Sequence, residues 1–139
     1  MKIETTILKN LLQNEDYARK VLPFLNDEYF TENSDKIIYN QINNFILKYN
    51  SLPNKEALNI ELSEAKITEE DFKESINLIN EIGKDDQEFS DLSWLLDSTE
   101  KFCQDKAIYN AVVESISILD NPKSTTDKGA IPDILSDAL

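Results

Sequence analysis

The chain has 139 residues and a net charge of −13, with 14 Lys and Arg against 27 Asp and Glu, so binding of nucleic acid through its phosphates is excluded for the domain as a whole. Hydrophobic residues at 40% and charged residues at 29% exclude a disordered chain and suit one domain that buries roughly two-thirds of its unfolded surface. The absence of histidine and the single cysteine exclude Ser–His and Cys–His nucleophiles, His-bearing zinc sites and an internal disulfide.

Two glycines and four prolines leave few breakers, and the Leu, Ile, Lys, Glu and Asn content favours helices over strands. The first helix is expected over about Glu4 to Gln13, with Ile7, Leu8, Leu11 and Leu12 on one face. A short helix follows near Asp16 to Leu22 and ends at Pro23. "NDEYFTENS" reads as a turn that tucks Tyr29 and Phe30 into the core. The third helix runs over about Asp35 to Tyr49. Ser34 is its candidate cap, and Ile38, Ile42, Phe45, Ile46 and Tyr49 form its stripe. Asn54 caps a helix through Leu62. Thr68 and Asp71 form an approximate capping box for a helix carrying Phe72, Ile76, Ile79 and Ile82, which stops at Gly83. "KDDQEFS" is a loop.

The sixth helix, about Asp91 to Leu119, would span about 43 Å. A compact globule of this chain length is about 37 Å across, so one end of the helix is expected to project. In its first half Leu92, Leu95, Leu96, Phe102 and Cys103 share a narrow face. In its second half that face turns polar, with Lys106, Asn110, Glu114 and Ser117. Ile108, Tyr109, Ala111, Val112, Val113, Ile116 and Leu119 then cover most of the rest. The buried side is therefore expected to change near Asp105, and such broad apolar coverage needs cover from several sides. "NPKSTTDKG" is long enough to reverse the chain. "AIPDILSDAL" then starts a returning helix, with Pro132 in its first turn and Ile131, Ile134, Leu135, Ala138 and Leu139 at helical spacing.

The fold expected is all-α: a helical bundle with a projecting αα-hairpin arm. Residues 1–90 make the globular bundle, and 91–139 the long helix plus the start of the returning one, together one structural domain. The apolar arm is expected to be an interface, the alternative being that Tyr109 and its apolar neighbours are intramolecular core. Its residues are Ile108, Tyr109, Val112, Val113, Ile116 and Leu119 with Ile131, Ile134, Leu135 and Leu139. No catalytic, cofactor-binding or metal-binding residue is expected. Neither glycine belongs to a phosphate-binding Gly-Lys-Ser/Thr loop. The acids of "TEEDFKE" and "GKDDQEFSD" read as solvated groups at a helix start and in a loop, and lack the alternation and glycine of an EF-hand. Cys103 reads as a buried structural thiol. Trp94 reads either as cover for the core edge or as a contact.

Four stretches in this order, "KVLPFLNDEYF", "SLPNKEALNIEL", "SWLLDSTEKF" followed by "AIYNA", and "GAIPDIL", resemble the N-terminal domain of the DnaB-like hexameric replicative helicases of T-even-type phages. The resemblance covers nearly the whole chain. It implies a helical collar domain ending in an αα-hairpin, with Leu92 to Leu119 running outward and Pro132 to Leu139 back. It further implies a RecA-like ATPase part outside this sequence, which would use NTP and Mg to unwind DNA. The collar would help to build the hexamer, and the fragment itself would form a dimer or other oligomer. Primase and a helicase loader are the implied partners, with no strong direct DNA binding by this domain and no membrane contact. The setting implied is the host cytoplasm. A freestanding acidic helical adaptor that binds a replisome or host protein is the alternative reading.

Overall fold

The computed structural model describes residues 2–84, 91–121 and 127–139. Seven α-helices, and no strand, lie among the described residues: α1 (Ile3–Gln13), α2 (Glu15–Val21), α3 (Asn33–Tyr49), α4 (Lys55–Ser63), α5 (Glu69–Ile82), α6 (Leu92–Asp120) and α7 (Ile131–Asp137). Short 3-10 turns at Asp27–Tyr29 and Lys128–Ala130 precede α3 and α7. The expected loop "KDDQEFS" falls almost wholly, and the chain reversal in "NPKSTTDKG" in its centre, outside the described residues. The chain divides into two compact units, Met1–Thr99 and Glu100–Leu139, with the boundary inside α6.

In the first unit α1, α3 and α5 touch one another pairwise, α4 packs on α3 and α5, and α2 packs on α1. The helices that meet do so through the apolar positions that helical spacing aligns. Ile7, Leu8 and Leu11 of α1, Ile38 and Ile42 of α3, Leu58 and Leu62 of α4, and Ile79 and Ile82 of α5 are fully buried. Phe30 is buried and stacks on Tyr39 with ring centroids 5.4 Å apart, whereas Tyr29 is only half-buried. The stripe expected on α3 fades toward its C-terminus: Phe45 and Ile46 are half-buried and Tyr49 is exposed. Two polar side chains complete the core where α2 meets the start of α6. The Tyr17 hydroxyl lies 2.6 Å from Thr99 Oγ1, which donates to the Leu95 carbonyl at 2.7 Å. Both hydroxyls are thus satisfied in a dry setting.

Caps account for most of the helix ends. Asn14, Asn54, Thr68 and Asp91 each accept from a backbone N–H three residues on, at 3.1, 2.7, 3.1 and 3.0 Å. Ser34 is not the cap of α3. The helix already begins at Asn33, because the Glu32 carbonyl accepts from Lys36 N–H at 3.1 Å, which puts Ser34 inside the first turn. At the far end Asn50 takes the left-handed conformation, φ 55°, and the Arg19 guanidinium donates to its carbonyl and side-chain oxygen at 3.2 and 3.3 Å. Gly83 ends α5 with an ordinary φ of −85°. It is glycine because of crowding: a Cβ there would sit 2.8 Å from the Ile79 carbonyl oxygen. The Gln13 side chain donates to the Ile82 and Lys84 carbonyls, so α1 satisfies the end of α5.

In the second unit the buried positions of α6 are Phe102, Cys103, Ala111, Ser115 and Ile118. Ser115 packs there because its hydroxyl donates to the Ala111 carbonyl at 2.8 Å. Asp127 accepts from Gly129 N–H at 3.1 Å and starts the turn into α7. On α7 the half-buried Ile131, Ile134 and Ala138 share one face.

Asp35, in the first turn of α3, is buried. Burial, then the Glu4 and Glu32 carboxylates and more weakly Glu81, push its carboxyl up from 3.8 to about 6, with Lys2 opposing. The folded chain therefore holds this proton more tightly than the unfolded chain. Its contribution to stability is full below pH 3.8 and is lost as pH rises through about 6. Asp35→Asn is expected to raise stability by on the order of 2 kcal/mol at pH 7.5 and to change little at pH 3.5. Paired thermal melts of the two proteins at both pH values cancel the effect of overall charge and check this. Ile118→Ala should lower stability by about 2–4 kcal/mol, whereas Ile116→Ala, at a 51% exposed position, should change it by less than about 1 kcal/mol; chemical denaturation compares them.

Candidate protein-protein interface

The surface expected on the long helix is formed by its own register. At 3.6 residues per turn, the buried positions Leu95, Thr99, Phe102 and Cys103 centre on one side of α6, and Ala111, Ser115 and Ile118 centre roughly a third of a turn away. The change of buried side near Asp105 therefore takes place. Beside the second buried face, centred about a third of a turn from it, lie Ile108, Tyr109, Val112, Val113, Ile116 and Leu119, each between 42 and 63% exposed. They form one continuous apolar stripe through successive i, i+3 and i, i+4 neighbours. Ala111, grouped with these residues by sequence, is buried instead, and Ile118 joins it. Leu135 of α7 and Leu139, just past its end, are exposed, Leu139 at 91%, while Ile131 and Ile134 are half-buried.

The electrostatics of the stripe are simple. Lys106 Nζ stands 5.9 Å from the Tyr109 ring centroid, a cation–π distance. The remaining stripe residues carry no polar group, so the surface offers area and shape rather than chemistry. Burial pushes the Cys103 thiol up to about 11, and the thiolate that a nucleophile needs is disfavoured. Trp94 is 54% exposed, and of its two readings the structure leaves it on the surface. Among the described residues, no three Asp, Glu or Cys side chains converge as a metal site would require.

A second apolar feature went unread in the sequence. A groove of about 310 Å³ in the first unit is lined by Ala18, Leu22, Pro23, Ile46, Leu47 and Leu52, with Glu15 and Arg19 at its edge. Arg19 is bonded to Glu15 at 2.8 Å, and Asn43 and Ser51 are the other polar residues of a mostly apolar lining. Leu47, 76% exposed and off the α3 stripe, was the available signal; the groove itself needs α2, α3 and the segment after α3 to converge.

The chain is similar to part of a known protein. The chain is 33% identical over 141 residues to the DnaB-like replicative helicase of Enterobacteria phage T4. That alignment takes in 96% of this chain and 29% of the helicase, so the chain spans less than a third of its relative's length. No family model matches the chain. An alignment over almost the whole chain is consistent with an N-terminal domain of a phage helicase. The chain is thus a relative, along nearly its whole length, of one part of a phage DnaB-like replicative helicase.

Proposed function

We propose that this chain is the collar and docking module of a hexameric replicative DNA helicase, and that it assembles with further copies of itself through the second half of α6. The observation that carries the reading is the stripe from Ile108 to Leu119, apolar and about half exposed on every residue. A monomer seldom leaves so continuous an apolar face in water unless it is a contact surface. The unwinding of DNA with NTP and Mg belongs, in this reading, to a RecA-like part outside these residues. Ile131, Ile134, Leu135 and Leu139 of the returning helix extend the contact surface. Primase, and a helicase loader, dock on the assembled collar rather than on DNA-facing surface. With a charge of −13 per copy, the collar itself does not grip DNA.

Assembly must overcome repulsion between like-charged copies, because apolar contact is the attractive term and charge the opposing one. Sedimentation velocity across concentration and ionic strength tests the reading. Association that strengthens as salt rises from about 50 to 500 mM is the expected result; association that weakens, or none at any concentration, contradicts it. The double variant Val113→Asp with Ile116→Asp should abolish the oligomer and leave far-ultraviolet circular dichroism unchanged. Loss of helicity in that variant would place the stripe in the monomer's own core.

A further inference from the structure

Besides its apolar groove, the first unit has a polar cleft of about 780 Å³ where α1, α3 and α5 meet. On α5, Glu74, Asn77 and Glu81 line it at steps of three and four residues, one face of a helix. From α3 come Asp35 in the first turn and Glu32 just before it. These carboxylates stand against one ammonium in the lining, that of Lys2. The start of α3 by itself would favour an anion, and the carboxylates reverse that preference. They are spread out: Glu74 and Glu81 lie two turns, about 10 Å, apart along α5. No three acids among the described residues converge as they would on a metal ion.

Glu32, Glu74 and Glu81 are exposed, and hydration accounts for them. Asp35 differs. It is only 8% exposed, and among the described residues no hydrogen-bond donor and no ion-pair partner reaches its carboxylate. A buried carboxylate without a partner is costly, and the fold supplies no compensating group. We infer that the cleft is a socket for the guanidinium group of an arginine carried by a partner protein other than a copy of this chain, with Asp35 as the carboxylate it pairs with. A guanidinium presents a planar fork of donors that fits a carboxylate two-pronged, is weakly hydrated enough to enter a buried site, and keeps further donors for acids around it. The sequence itself excludes a second copy as the source. Arg19 is its single arginine, and that guanidinium already donates to Glu15 and to the Asn50 carbonyl. The exposed acids at the rim draw a positively charged segment toward the cleft. The cleft lies wholly within Met1–Thr99 and the apolar stripe within Glu100–Leu139, so the two surfaces are tested separately.

The probe is the pentapeptide acetyl-Ala-Ala-Arg-Ala-Ala-amide, titrated into the 139-residue chain at pH 7.5 and followed by nuclear magnetic resonance. The backbone amides of Thr5, Ser34 and Asn77 should shift saturably. The same peptide with lysine in place of arginine should bind about fivefold more weakly, a comparison that needs no variant. Asp35→Asn should weaken binding of the arginine peptide about tenfold, the loss of one charge-assisted pair, with circular dichroism unchanged. Glu61→Gln removes the same charge from an exposed position on α4 and should leave binding as it is. On lowering the pH from 7.5 to 5, wild-type affinity should fall about tenfold as Asp35 takes up its proton near pH 6. The fall should be smaller in Asp35→Asn, where only Glu4, Glu32, Glu74 and Glu81 remain to titrate and Lys2 stays charged. Absence of saturable shifts, equal binding of the lysine peptide, or wild-type affinity in Asp35→Asn would each overturn the inference. So would saturation by acetyl-arginine-amide but not by the pentapeptide, since the cleft would then take a small cation rather than a side chain on a partner.

Discussion

The constraint on which the rest depends is that α6 carries apolar side chains over more than half of its circumference in its second half, while only one side of that arc is buried. Ala111, Ser115 and Ile118 take the buried side, and six neighbouring residues stay in water. Burial of apolar surface is the main favourable term in folding and in most association. In the proposed function, the apolar surface left exposed on this helix is what a second contact would bury. The boundary between the two compact units falls within the 29 residues of α6.

The bundle supplies the anchor for that helix. Leu95 is fully buried, and the Tyr17–Thr99 pair satisfies two hydroxyls beside it. Polar groups placed this way add specificity of packing more than gross stability. The surrounding unit is tied at its helix ends by side chains from neighbouring helices: Gln13 at the end of α5, Arg19 at the end of α3. Against this stands a strongly acidic surface, and one carboxylate, Asp35, held among other acids where its proton is retained longer than usual. In the proposed assembly this excess of negative charge opposes contact between copies, and apolar contact is the term that must overcome it.

Much of this was legible before any coordinates. Local chemistry read well: Asn54 and Thr68 are caps because a side-chain oxygen three residues ahead of a free N–H suffices. The α1 face Ile7, Leu8, Leu11 and Leu12 is buried because its spacing is simply helical. The start of α3 was misplaced by a short step, since Glu32 and Lys36 close the first backbone bond ahead of Ser34. The family resemblance rested on the order of four stretches, each uninformative alone, and 33% identity in an alignment covering 96% of the chain agrees with it. What could not be read was which of the many apolar positions on the second half of α6 go inside. Serine counts as polar in a sequence, yet Ser115 spends its hydroxyl on the Ala111 carbonyl and packs like a small apolar residue. That choice pairs Ala111 with Ile118 and leaves the larger side chains outside. The groove beside Leu47 was illegible for a different reason, because three separate segments build it.

The central claim is that one copy leaves the α6 stripe in contact with water. Methyl-labelled nuclear magnetic resonance with a soluble nitroxide measures this directly, one side chain at a time. At low concentration the methyl groups of Ile108, Val112, Val113, Ile116 and Leu119 should relax as surface groups do, while that of Ile118 stays shielded; on raising the protein concentration the stripe should become shielded too. Stripe methyls that are protected at every dilution would contradict the account.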